Sequence, residues 1–254
     1  MFGNTVQPEI VSLFSSTGSD PLGLFGRACD ALLPADSFIH LLIDNSSLPV
    51  PPAPAVPILP PSRDNSDEAE SSNTSGLSLS QRVLHIQSPT LHTTYIRCPS
   101  DNSHLGLKHP WLHIQARDMG RPFSFEVGLV DRAGLVGVVR LSTFQKEPRL
   151  KRPTNSSSPP LLHLPLSFPS ISSRPLTAWA TVTLHLPTLL PHFSSSLLAR
   201  GTEGTHTPAS FGAFAHTSYV KVYATCRLRR IWFSQSGPSK QAPWEFELYG
   251  DEYR

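Results

Sequence analysis

Phe123-Ser-Phe-Glu-Val-Gly-Leu-Val-Asp-Arg-Ala-Gly-Leu-Val-Gly-Val-Val-Arg-Leu141 is the stretch whose reading decides the fold. Phe123, Phe125, Val127 and Leu129 alternate with Ser124, Glu126 and Gly128, the period of two that buries one side of a strand. Asp131-Arg-Ala-Gly134 then supplies a turn, with Gly134 free to take a positive φ, and Leu135 to Leu141 resumes as the return strand of a hairpin. Working outward, Val83–Gln87 and Thr93–Cys98 are short β-branched runs. Trp111-Leu-His-Ile-Gln-Ala places Leu112, Ile114 and Ala116 on one face. Ala178, Ala180, Val182, Leu184 and Leu186 repeat the pattern, as do Val220, Val222, Ala224 and Cys226. Short strands separated by turn signals, with no helical period between them, predict an all-β fold: an antiparallel, jelly-roll-like β-sandwich. Ile10–Phe14 and Leu22–Leu33 fit either a short helix or an edge segment.

Proline punctuates the chain. Sixteen of its 26 prolines fall in the windows 45–76, 152–176 and 187–208. Proline lacks an amide hydrogen and clashes with a preceding helical turn, and serine competes for backbone hydrogen bonds, so a mostly helical protein is excluded. The first window lacks the periodic apolar residues that offset ordering entropy and is expected to be disordered. The predicted organisation is a β domain whose N-terminal part is 1–44, whose core is 81–151, whose next strand lies in 177–187 and whose last strands lie in 216–254. Insertions occupy 45–80, 152–176 and 188–215. The apolar half of the second, Leu161 to Phe168, fits a strand or a packed arm, and a helical turn fits Leu189–Leu198.

Charged residues make up 16% of the chain and the net charge is +2, so bulk electrostatics names no partner. No run nears the roughly 20 apolar residues that cross a bilayer, and the N-terminus has no basic leader, so a soluble cytosolic or nuclear protein without a membrane partner is expected. Cys29, Cys98 and Cys226 contain no CxxC pair and read as small buried side chains. His85, His92, His104, His109 and His113 lie close together, yet no HExxH helix, zinc spacing or carboxylate pair accompanies them, and each reads as a surface or satisfied core residue. With no GxSxG elbow and no phosphate loop, neither an enzyme nor a bound cofactor, metal or small-molecule substrate is expected.

What stands out is basic. Cys226-Arg-Leu-Arg-Arg-Ile-Trp-Phe places Arg227, Arg229 and Arg230 within four positions, and strict alternation would scatter them, so a bulge near Leu228 is expected to re-aim them. Arg140, Lys146, Arg149, Lys151 and Arg152 form a second run at the hairpin exit, and Lys221 lies on the preceding strand. Arginine beside aromatics suits carboxylates or phosphates. Charges on an edge strand also serve simply to block aggregation.

Several blocks together resemble the cilia- and flagella-associated protein 20 family. They are Met1-Phe-Gly-Asn-Thr-Val-Gln with Gly18-Ser-Asp-Pro-Leu, Thr93-Thr-Tyr-Ile-Arg-Cys-Pro-Ser-Asp through Leu105-Gly-Leu-Lys to Pro110, Phe123-Ser-Phe-Glu-Val, and Ala224-Thr-Cys-Arg-Leu-Arg-Arg-Ile-Trp-Phe-Ser with Glu245-Phe-Glu-Leu-Tyr. The resemblance implies a compact β-sandwich without enzymatic activity, bridging protofilaments at the inner junction of axonemal doublet microtubules and associated with basal bodies, centrioles and tubulin modification. The three windows depart from the family's compactness.

The partners so implied are tubulin and other axonemal proteins, in the cytoskeleton, axoneme or basal body. Tubulin's acidic surface would meet Arg227, Arg229, Arg230, Lys221, Arg140, Lys146 and Arg149. The alternative is a nuclear, nucleic-acid-associated module using the same basic strand, with Tyr223 and Trp232 as stacking partners. A third, carbohydrate-binding reading needs Trp111 and Trp179 exposed, against the expectation that both are core residues.

Overall fold

The computed structural model describes residues 1–49, 81–101, 103–152, 158–169, 179–199, 210–238 and 243–246. Its strands are β1 (Ile10–Ser15), β2 (Gly26–Ala28), β3 (Phe38–Ile43), β4 (Arg82–Gln87), β5 (Tyr95–Cys98), β6 (Trp111–Arg117) and β7 (Ser124–Asp131). There follow β8 (Val136–Ser142), β9 (Arg149–Lys151), β10 (Leu161–Pro165), β11 (Trp179–His185), β12 (Phe214–Tyr223) and β13 (Cys226–Ser234). They form two sheets. The six-stranded sheet runs β11-β6-β13-β4-β3, with β1 also paired to β13, and the seven-stranded sheet runs β2-β5-β12-β7-β8-β10-β9.

Between the sheets lies one apolar interior, made of the strand positions that the alternation marks. Leu112, Ile114, Phe125, Val127, Val139, Val220, Val222, Leu228 and Phe233 all belong to it. The deciding stretch forms the expected hairpin, β7 against β8, with Gly134 at φ 83°. Of the two ambiguous N-terminal stretches, one forms β1 and the other is turns and bends around the short edge strand β2.

Three expectations are corrected. The sandwich is not purely antiparallel, because β10 runs parallel to β8. The windows 152–176 and 188–215 are not wholly external: β10 lies in the first, where Leu162 and Leu166 are buried, and Leu190 and Phe193 of the second are buried in a 3-10 helix, Leu186–Ser194. Their leucines and phenylalanine, not their serines, decide this, since each removes about 1.5–3 kcal/mol of apolar side chain from water. The chain is also not one strand from Val220 to Cys226. Alternation carries straight through, yet Ala224–Thr225 is a corner that takes the backbone from the seven-stranded sheet to the six-stranded one. Of the first window, residues 45–49 form a turn that bridges back to β3 through Leu42 and Pro49, while 50–80, where disorder is expected, lies outside the described residues.

Among the described residues no helix is long and apolar enough to cross a membrane. Phe125 is fully buried at the centre of β7. Its replacement by alanine is expected to cost about 3–5 kcal/mol, read as a lower urea midpoint at unchanged m-value.

Candidate functional site

The bulge expected in β13 is present: the register against β6 shifts between Leu228 and Arg230, leaving Arg229 as the extra residue. Cys226, Leu228, Ile231 and Phe233 consequently all face the interior, while Arg227 and Arg230 lie opposite Arg117 and Gln115 of β6. Arg227, however, is committed within the protein. Arg227 is 5% exposed, and its Nη1 donates to the Asp44 carboxylate (2.8 Å) and carbonyl (2.7 Å), its Nη2 to Ser47 Oγ (2.7 Å). Arg117 Nη1 reaches the same Asp44 oxygen at 2.9 Å, and Trp179 Nε1 donates to the other at 3.0 Å. Asp44 at the end of β3 thus ties together β6, β11 and β13. Burial alone would raise its pKa, but the bond from Arg227, then Trp179 and the Arg117 charge, hold it below the usual carboxylate value. Arg230 is half-buried with its guanidinium 5.1 Å from the Phe246 ring, and burial lowers its pKa.

The other basic residues meet on the opposite face of the sandwich, in a row across the seven-stranded sheet. Arg97 lies opposite Lys221, Lys221 opposite Glu126, Glu126 opposite Arg140, Arg140 beside His163, and His163 opposite Arg149. Lys146 is exposed in the loop between β8 and β9, two strands that the row crosses. Glu126 Oε1 accepts from Arg140 Nε (2.7 Å) and Nη2, and its Oε2 from the Tyr219 hydroxyl (3.3 Å). Lys221 Nζ stands 3.6 Å from the centre of the Tyr95 ring and 4.6 Å from that of Tyr223, and the Arg97 guanidinium lies 5.0 Å over Tyr219. Gly128 makes room for that lattice, since a Cβ there would sit 2.6 Å from the Tyr219 ring.

Charge does not balance along the row. Among the described residues Arg97, Lys221, Arg140 and Arg149 share a single carboxylate along the row, Glu126. His163 adds no charge near neutral pH, because burial and then the Arg140 and Lys151 charges push its pKa down to about 4. Lys221 is lowered too, by burial first and by Arg97 and Arg140, with Glu126 opposing. Cations held in place beside aromatic rings and already partly desolvated are of the kind that pair with carboxylates or phosphates.

Of the seven residues singled out from the sequence, Arg140, Lys221 and Arg149 therefore share one row and Lys146 adjoins it, while Arg227, Arg229 and Arg230 belong to the other sheet. Arg97 and Glu126 escaped sequence reasoning. The signal available for them was their position on outward registers of strands already recognised. Tyr223 and Trp232, the stacking partners of the nucleic-acid reading, are 4% and 6% exposed. Trp232 is stacked on His113 and covered by Phe246, so neither ring is open to a base.

Trp111 and Trp179 are corrected from core to half-buried outer-face residues, the first against His185 and the second bonded to Asp44. Cys98 and Cys226 are buried as expected, burial pushing the Cys98 thiol to about 12, but Cys29 is exposed. Among the histidines, His113 bonds Thr183 and Ser234 and His163 bonds Ser142, whereas buried His85 packs its ring against Phe38.

A CFA20 domain matches residues 65–188, a span that holds β4 through β11. Cilia- and flagella-associated protein 20 of Chlamydomonas reinhardtii is 31% identical over 169 residues, covering 66% of this chain and 73% of that protein. The proteins of the same name from Caenorhabditis elegans and Paramecium tetraurelia are 26% and 27% identical over 172 residues, covering 68% and 73% of their own lengths.

Asp44→Asn is expected to destabilise the fold by about 3 kcal/mol at pH 7, since it leaves the buried Arg227 charge without its counterion. The folded-state pKa of Asp44 lies below the unfolded value of about 3.9. Its contribution is therefore complete above about pH 4 and fades as pH falls through the folded pKa. Denaturant melts of both proteins should draw together as pH is lowered from 7 through the folded pKa of Asp44.

Proposed function

The chain belongs to the CFA20-domain family, and on that membership we propose that it is a non-enzymatic structural protein of cilia or flagella, bound to microtubules of the axonemal doublet or basal body. The observation that carries the docking part of this reading is the row Arg97–Lys221–Glu126–Arg140–His163–Arg149. Its excess of fixed cations suits an acidic protein surface such as tubulin's. A structural role favours such a row over mobile lysines, because rings and a shared carboxylate hold the cations in place before contact and little side-chain entropy remains to be lost. Arg149 and Lys146, at its exposed end, are the groups an approaching acidic surface meets first. Charges in that position govern the rate of encounter and its salt dependence.

The β13 arginines are a poorer tubulin contact. Asp44 neutralises Arg227, and Phe246 covers Arg230.

Purified protein is expected to pellet with taxane-stabilised microtubules at low ionic strength and to be released as salt rises. Lys146→Glu combined with Arg149→Glu should weaken pelleting about tenfold, whereas Arg229→Glu on the opposite face should change it less than about twofold. Equal pelleting of the wild type and the double variant would remove this face from the mechanism.

A further inference from the structure

A scattered exposed leucine is ordinary on a protein surface and calls for no partner. Phe144 is set apart by its chemistry and its place. Among the described side chains the other large apolar groups open to water are aliphatic, and Phe144, 45% exposed, is the one ring. It lies in the loop between β8 and β9, and its ring meets that of His163 edge-on, with centroids 5.7 Å apart. His163 is a member of the cationic row, so Phe144 stands on the row's own face of the sandwich. Exposed Lys146 follows two residues later, and exposed Arg149 opens β9. The result is an apolar ring bordered by cations.

The loop holds that ring in place. Thr143 N donates to Phe123 O at 3.0 Å and Phe123 N donates to Thr143 Oγ1 at 3.0 Å, so the residue before Phe144 is tied to the start of β7. Gln145 Nε2 donates to Glu147 O at 2.6 Å, and Pro148 fixes φ just before Arg149. His163 Nε2 and Ser142 Oγ, hydrogen-bonded at 2.7 Å, orient the imidazole against which Phe144 rests. An exposed ring fastened on both sides loses little conformational entropy when it is covered.

Cations at the rim of an interface govern encounter and its salt dependence more than residence. Residence comes from a few side chains, aromatic ones above all, that leave water at the centre of the contact. The row's own tyrosines are already engaged, Tyr95 and Tyr223 by the Lys221 ammonium and Tyr219 by the Arg97 guanidinium. Phe144 has the larger open ring surface on this face, and it lies among the charges that an approaching acidic surface meets.

We propose that Phe144 is the apolar anchor of the docking face, seated on binding in an apolar recess that carboxylates border on the acidic partner. Lys146 and Arg149 meet those carboxylates at the rim. The proposal rests on the reading of the cationic face as the microtubule contact and adds the residue that sets how long the contact lasts. Removing Phe144 therefore weakens binding equally at all salt concentrations, because no charge is lost, whereas reversing the rim charges changes the salt dependence itself.

Pelleting of the full chain with taxane-stabilised microtubules, repeated from about 25 to 200 mM salt, separates the two kinds of contact. Phe144→Ala is expected to weaken binding about tenfold at each salt concentration, with the slope of log Kd against log salt and the urea midpoint both unchanged. Phe144→Gln, which keeps side-chain length without the apolar surface, must act the same way and serves if the alanine variant does not fold. Phe144→Leu should lose less than either. Leu135 is 39% exposed in the turn at the far end of the same hairpin, and Leu135→Ala should change binding less than about twofold. Binding by the Phe144 variants within about twofold of the wild type, or a loss matched by Leu135→Ala, overturns the anchor and leaves the docking face standing. A wild type that does not pellet at any salt concentration overturns both.

Discussion

Everything in this molecule depends on burying one side of each strand in a single interior between two sheets. Phe125, Ile114, Val222 and Leu228 are fully withdrawn from water. Because the side-chain period of a strand is two, that burial fixes the opposite set as an outward array with no freedom to choose its face. Slipping β7 by one residue would bring Glu126 into the interior and expel Phe125. The outward arrays are therefore as strictly placed as the core, and it is on them that charge is organised.

Each outer face is organised around one carboxylate. On the six-stranded sheet Asp44 accepts from Arg117, Arg227 and Trp179, and the cations are consumed in joining strands. On the seven-stranded sheet Glu126 accepts from Arg140 and Tyr219, while among the described residues Lys221, Arg97 and Arg149 make no ion pair with a carboxylate, Arg97 bonding the Pro99 and Asp101 carbonyls instead. The difference is one of balance. Two arginines around a partly buried carboxylate close an internal network, whereas four cations along a row with one carboxylate retain an outward field. One face uses its cations to join strands, and the other keeps part of its positive charge turned outward.

How much of this was legible in the sequence follows from the range of the interactions. Alternation at Phe123–Leu129, Trp111–Ala116 and Ala178–Leu186 is local, so it announced the strands, their buried sides and the hairpin at Gly134. Even the β13 bulge could be anticipated, since the arginines and the aromatics after them need it in order to keep separate faces. Only the tertiary structure decided which sheet each strand joins. The corner at Ala224–Thr225 leaves the alternation unbroken while moving Lys221 and Arg227 to opposite sides of the molecule. It also decided that Asp44, 183 positions before Arg227, would neutralise that arginine, and that Arg97, Lys221, Arg140 and Arg149 would align. Pairing register is set by the shared interior between segments far apart in the chain, and no local pattern of residues contains it.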